Sequence, residues 1–217
     1  MPLEQPKMCG CGSAIYCGKT CQSYHRPAHR ELCMANMRRI QAIKDMKLTA
    51  DQYTALRIPP GLTMSDVEAK LCKWIKFYSG SLMLSAIHAL QLPHDITRTQ
   101  THLLRIRVQP CGDHTKETKA VEFFTLVHAD VVEQSDMLKM TPPWVFGLKK
   151  LSRMRQDSEL AGHGTVAVVA LECEGLGLHF IPFGSLKDLN GIRILHSWKS
   201  ILIRVLGSGQ PFDDVAG

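Results

Sequence analysis

Five of the eight cysteines fall between residues 9 and 33, as Cys9, Cys11, Cys17, Cys21 and Cys33, and His29 stands among them. Zinc is a borderline-soft ion that takes four sulfur or nitrogen ligands in a tetrahedron, and structural sites close all four positions with protein groups. A turn-borne pair of cysteines can supply two ligands. His29 and Cys33 are four residues apart, so on a helix they share one face and can supply two more. Six candidate ligands within 25 residues predict a zinc module. Two other readings compete with it. One is unligated or disulfide-bonded cysteines. The other is a nucleophilic thiol at Cys17 or Cys21, with His25 or His29 as its base. The crowding of cysteines favours metal over both.

Charge supports a special role for this end of the chain. Residues 1–47 hold eight Lys or Arg against three acids, while the other 170 residues carry 18 bases and 17 acids. The excess positive charge therefore belongs to the cysteine-rich segment. Zinc ligands bind as thiolate anions, so a basic surround that helps to hold them is a sufficient explanation. A nucleic-acid role does not follow from charge alone. Residues 1–12 lack the apolar stretch of a signal peptide, and the most apolar windows, Ser81–Leu92 and Val166–Leu171, are too short to span a bilayer. With no Asn-x-Ser/Thr acceptor in the chain, a reducing compartment, nucleus or cytoplasm, is expected, and there close-spaced cysteines are metal ligands.

The run Tyr16-Cys17-x3-Cys21-Gln22-x2-His25-x3-His29-x3-Cys33 resembles the second half of a MYND zinc finger. The resemblance covers residues 8–33, and the layout of the chain is similar to that of MYND-containing proteins of mushroom-forming fungi. The resemblance implies two zinc ions held by interleaved ligand pairs. Cys9 and Cys11 would join His29 and Cys33 on one ion. Cys17 and Cys21 would hold the other, with an upstream Cys-x2-Cys. That upstream pair is missing, since only Met1–Met8 precede Cys9. The family's next cysteine pair is also closed up, to Cys9-x-Cys11, with Met8 where its first member would fall. Arg26 takes the place of a usual tryptophan. One full site is therefore expected, at Cys9, Cys11, His29 and Cys33, with Cys17 and Cys21 left as half of a second. The spacing also permits a single site of Cys17, Cys21, His29 and Cys33, with Cys9 and Cys11 loose. The family docks short proline-containing peptides of partner proteins, often in transcriptional repression, and this is the function that the resemblance implies.

The rest of the chain reads as a helix-bearing domain. Pro27 to about Lys47 is helix-like and basic, extending the module. Residues 48–64 contain Pro59, Pro60 and Gly61 and are expected to form a linker. Ser65 and Glu68 fit a capping box. Val67, Leu71, Ile75, Tyr78 and Leu82 then follow at helical spacing, which predicts one helix to about Leu92, with Trp74, Cys72 and Met83 as packing residues. Alternation predicts a strand over Leu103–Gln109 and another over Val121–Val132. Thr165–Cys173 and Leu178–Phe183 flank Glu174-Gly175-Leu176-Gly177 as a hairpin. Pro142-Pro143 and Gly184 are expected as breaks, and Ser197–Leu206 as a helix. The fold class is α+β: a small N-terminal zinc module, then a helix and a mainly antiparallel sheet domain over about 65–206.

No further chemistry is signalled. Cys72, Cys111 and Cys173 are isolated, and His102, His114, His128, His163, His179 and His196 are scattered without partners at ligand or triad spacing. No phosphate loop, nucleophile elbow or zinc-protease motif is present, so a non-enzymatic chain is expected. Two alternatives remain. One is nucleic-acid contact through Arg38, Arg39, Lys44 and Lys47. The other is an enzyme site within 65–206.

Overall fold

A computed structural model describes residues 7–8, 15–16, 19–112 and 115–210; up to residue 32 it describes the backbone path, with side chains only at Ser23 and Arg30. Two short strands, β1 (Lys7–Met8) and β2 (Ile15–Tyr16), pair antiparallel. Helix α1 (Lys19–Asp45) follows. It begins eight residues before the expected start and runs through Pro27. A proline there forfeits one backbone hydrogen bond, yet the helix continues on both sides of it.

Residues 48–64, expected as a linker, carry a short helix of their own. Helix α2 (Ala50–Ala55) is capped by Thr49, and Ile58 and Leu62 beyond it are buried in the main core. Helix α3 (Met64–Phe77) opens on Thr63 rather than Ser65. The Asp66 amide donates to Thr63 Oγ1 at 3.2 Å, and the Thr63 amide donates back to the Asp66 carboxylate at 2.9 Å. The same capping pattern occurs two residues earlier than expected, and Glu68 is thereby released for another role.

The predicted single helix to Leu92 is two. After α3 the backbone breaks at Tyr78 (φ −90°, ψ 10°), and α4 (Ser79–Ala89) begins. Ser79, Gly80 and Ser81 favour helix weakly. Tyr78 instead anchors the corner, its hydroxyl donating to the Val121 carbonyl at 3.2 Å. Hydrophobic phase carries across the break, so periodicity alone hides it.

After α5 (Arg98–Thr101) come β3 (His102–Pro110), β4 (Phe124–Glu133), α6 (Gln134–Met137), α7 (Pro142–Leu160), β5 (Thr165–Cys173), β6 (Gly177–Leu186) and α8 (Trp198–Ser208). The sheet order is β4-β3-β5-β6. Two pairings are antiparallel and the central one, β3 with β5, is parallel, which makes the sheet mixed. The hairpin at 174–177 and the last helix stand where expected. Gly184 is no break: with Ser185 it faces Val166 as an irregularity inside the β5–β6 ladder.

Pro142 and Pro143 likewise start an element instead of ending one. They occupy the first positions of α7, where a missing N–H costs nothing because those amides have no intrahelical acceptor. Trp144, Leu148 and Leu151 of this helix cover one face of the sheet, against Leu103, Val166, Val168 and Ala170. The other face, formed by Leu104, Ile106, Val108, Val169 and Leu171, packs on Leu71, Trp74, Leu82, Leu202 and Val205 from α3, α4 and α8. β5 is thus covered on both sides, which is why its sequence is apolar nearly throughout. Trp74 is fully buried and Met83 half-buried, as packing residues should be, but Cys72 is exposed.

Two glycines are required where they stand. Gly175 has φ +79° in the β5–β6 turn, and a Cβ there would lie 3.0 Å from Leu56. At Gly147 of α7, a Cβ would fall on the ring of Phe180 in β6. Gly147→Ala should therefore destabilise the fold by about 1–3 kcal/mol, although Ala is otherwise the better helix former. Gly80→Ala in α4, where a Cβ meets nothing within 4 Å, is the control expected to be neutral or mildly stabilising. Urea denaturation of both variants checks this.

Candidate metal centre

Of the six expected ligands, Cys9, Cys11 and Cys17 lie outside the described residues. Cys21 and His29 are placed by backbone only, and Cys33 is described in full. What the structure contributes is the frame. The chain leaves β1 at Met8, across the ribbon from Ile15, and leaves β2 at Tyr16, across from Lys7. Cys9 follows Met8 and Cys17 follows Tyr16, so the chain enters the two cysteine segments from opposite ends of the ribbon. Helix α1 spans Cys21, His25, His29 and Cys33 without interruption, and residues four apart on a helix share a face. His29 and Cys33 are therefore stacked in backbone terms, as a ligand pair must be. Cys33 itself is half-buried. Thiolate and imidazole donors in this arrangement suit a tetrahedral zinc ion. Among the described residues, no group of three or more His, Cys, Asp or Glu could hold a metal elsewhere.

The same helix is fastened to the domain by a polar cluster that sequence reasoning did not find. Arg39 of α1 reaches Glu68 of α3, Nη1 to Oε1 at 2.9 Å. Its Nη2 lies 3.1 Å from His179 Nε2 of β6 and donates to the Leu176 carbonyl at 3.4 Å. A guanidinium only donates, so His179 Nε2 must be the unprotonated acceptor. Burial, and secondarily the Arg39 charge, push the His179 imidazole down to about 4. Glu68 Oε2 is buried without a hydrogen bond, 3.8 Å from the same ring nitrogen. About four turns further along α1 than His29, Ile43 is buried in the main core. One helix therefore carries candidate metal ligands at one end and a docking contact at the other. Arg39 was a candidate phosphate contact; the structure engages it with Glu68 instead.

This cluster has a pH signature. Unfolded, His179 takes up a proton near pH 6.5; folded, it refuses the proton until about pH 4. Stability should therefore fall as pH drops from 6.5 to about 4, by up to about 3 kcal/mol from this residue, and be unaffected by it above. His88, also held neutral by burial, acts in the same direction. The slope should be shallower in His179→Gln, measured by urea denaturation across that range.

Clefts elsewhere among the described residues include two that hold titratable side chains. One, about 430 Å³, runs between the start of α7 and the sheet, and is lined by Arg107, Trp144, Glu172, Cys173 and Glu174. Arg107 and Glu172 pair across it at 3.4 Å. Burial, with the neighbouring Glu68 and Glu174 charges, pushes the Cys173 thiol up to about 12, so it stays protonated and unreactive. The other, about 640 Å³, is lined by His102, Glu133, Gln134, Leu138 and Lys149. Of the remaining histidines in the described residues, His128 approaches Asp130 at 3.5 Å on an exposed strand position, and His102 Nδ1 meets the Thr101 hydroxyl at 2.8 Å. His114 lies outside the described residues.

Comparison with known families decides what the N-terminal frame is. The family model of the MYND finger matches residues 3–33. The chain carries a MYND-type zinc finger. No curated protein and no solved structure matches it. A MYND finger is a zinc-binding module for protein–protein interaction, and its matched segment contains all six candidate ligands. The finger ends at Cys33, but helix α1 does not, and continues for twelve residues to Asp45 and the Arg39 contact.

Proposed function

We propose that the MYND finger of this chain docks short proline-containing peptides of partner proteins, in transcriptional regulation. The observation that carries this reading is the finger match over residues 3–33. In this reading zinc is held in one full site by Cys9, Cys11, His29 and Cys33. Cys17 and Cys21 form an incomplete second site. The bound ion would supply folding energy to the finger rather than an open coordination position for chemistry. The chain acts without catalysis, in nucleus or cytoplasm. No helix among the described residues is long and apolar enough to cross a membrane, and no membrane partner belongs to this reading.

The test is a proline-containing peptide array probed with the full chain, with and without a zinc chelator. Retention of proline-containing peptides that is lost on chelation is the expected result. Retention unaffected by the chelator, or none above proline-free peptides, would remove the reading.

A further inference from the structure

Beyond the finger's own docking site, we infer that the outward face of α1 past the finger binds an acidic, apolar-bearing segment of a partner protein. A helix advances 100° per residue, which sorts the side chains of α1 into two sides. Arg39 and Ile43 fall on the side that meets α3, β6 and the core. Arg30, Met34, Met37, Arg38, Gln41 and Lys44 fall on the opposite side, and all six are exposed.

The composition of that outer side is what points to a protein. Met34 and Met37 are each 47 % exposed, and Met46 just past the helix end is 41 % exposed. Met34 and Met37, three residues apart on that side, form an exposed apolar strip. Methionine is unbranched and polarisable, and suits a surface that must adapt to a partner's side chains. Met34 neighbours both Met37 and Arg38 at helical spacing. Around them, residues 30–47 hold five bases and two acids. Arg39 is engaged with Glu68, whereas Arg38 and Lys44 face solvent with no carboxylate partner among the described residues. A positive rim around an apolar strip is complementary to a segment that presents Leu, Ile or Phe flanked by Glu or Asp. A phosphate backbone would use the rim but leave the methionines uncovered.

The test uses the full zinc-loaded chain and fluorescence anisotropy. The probe is a labelled helical peptide with Leu at i, i+3, i+4 and i+7 spacing and Glu on the flanks. The expected result is micromolar binding, weakened about tenfold in Met34→Ala/Met37→Ala and about tenfold in Arg38→Glu/Lys44→Glu. The charge-reversed variant should regain affinity for a peptide with Lys in place of Glu. No binding of the acidic probe, or binding indifferent to the methionine pair, overturns the inference. So does tighter binding of duplex DNA that ignores the methionines, which would make this a nucleic-acid surface. Concentration-dependent self-association abolished by the methionine substitutions would name a second copy as the occupant and overturn it as well. All four substituted residues lie outside residues 3–33, so proline-peptide retention by the finger should be unchanged in these variants, and the two readings fail separately.

Discussion

Cys33→Ser is expected to strip the chain of its tightly held zinc and to unwind the first turns of α1. Cys33 is common to both wirings that the spacing allows, so this outcome does not depend on which is correct. Serine is close in size but is no thiolate, and a tetrahedral site with three ligands left has an open corner. In a module this small, metal affinity is folding energy, because the site does not exist in the unfolded chain. Zinc affinity should therefore fall by more than about a hundredfold, measured by competition with a chromophoric chelator. Hydrogen exchange should show residues 19–32 losing protection while the sheet keeps it. The sheet's core is built from α3, α4, α7, α8 and the four strands, and among the described residues of α1 the one buried side chain in it is Ile43.

Trp74→Ala is expected to cost about 3–5 kcal/mol, enough to unfold a domain of ordinary stability partly or wholly. Trp74 is completely buried. It lies 4.9 Å from the Tyr78 ring and 6.3 Å, edge on, from Phe124. It thus joins the α3–α4 corner to the edge strand β4, and truncation leaves a cavity that three elements cannot close together. Its indole Nε1 is buried without a hydrogen bond. Trp74→Phe should consequently be much milder than Trp74→Ala, because it keeps an aromatic ring and removes an unsatisfied donor. Urea midpoints of the two variants check the order. Equal losses would mean that the aromatic contacts contribute little.

How far the fold could be read from the chain varied with how local each signal was. β3, β5 and the 174–177 turn were plain because alternation and glycine are local signals. α7 was missed although Trp144, Leu148 and Leu151 recur at helical spacing. Pro142-Pro143 looked like a stop, and only its position ahead of that pattern marks it as a start. The parallel pairing of β3 with β5 joins strands separated by two helices and another strand, and nothing in either strand encodes it beyond the continuous apolar run of β5. The finger was legible because its ligands are close in sequence. The Arg39–Glu68–His179 cluster was not: Arg39 and His179 are 140 residues apart, and each alone is an ordinary surface residue. Glu68 was further disguised by a plausible capping role, which Asp66 fills instead.

The number of zinc ions per chain distinguishes one full site with a half-site from two complete sites. Native mass spectrometry of the full chain, alongside Cys11→Ser and Cys17→Ser, measures it. One zinc in the parent chain, lost in Cys11→Ser and kept in Cys17→Ser, is the predicted result. Two zinc ions in the parent, or zinc kept in Cys11→Ser and lost in Cys17→Ser, would contradict it.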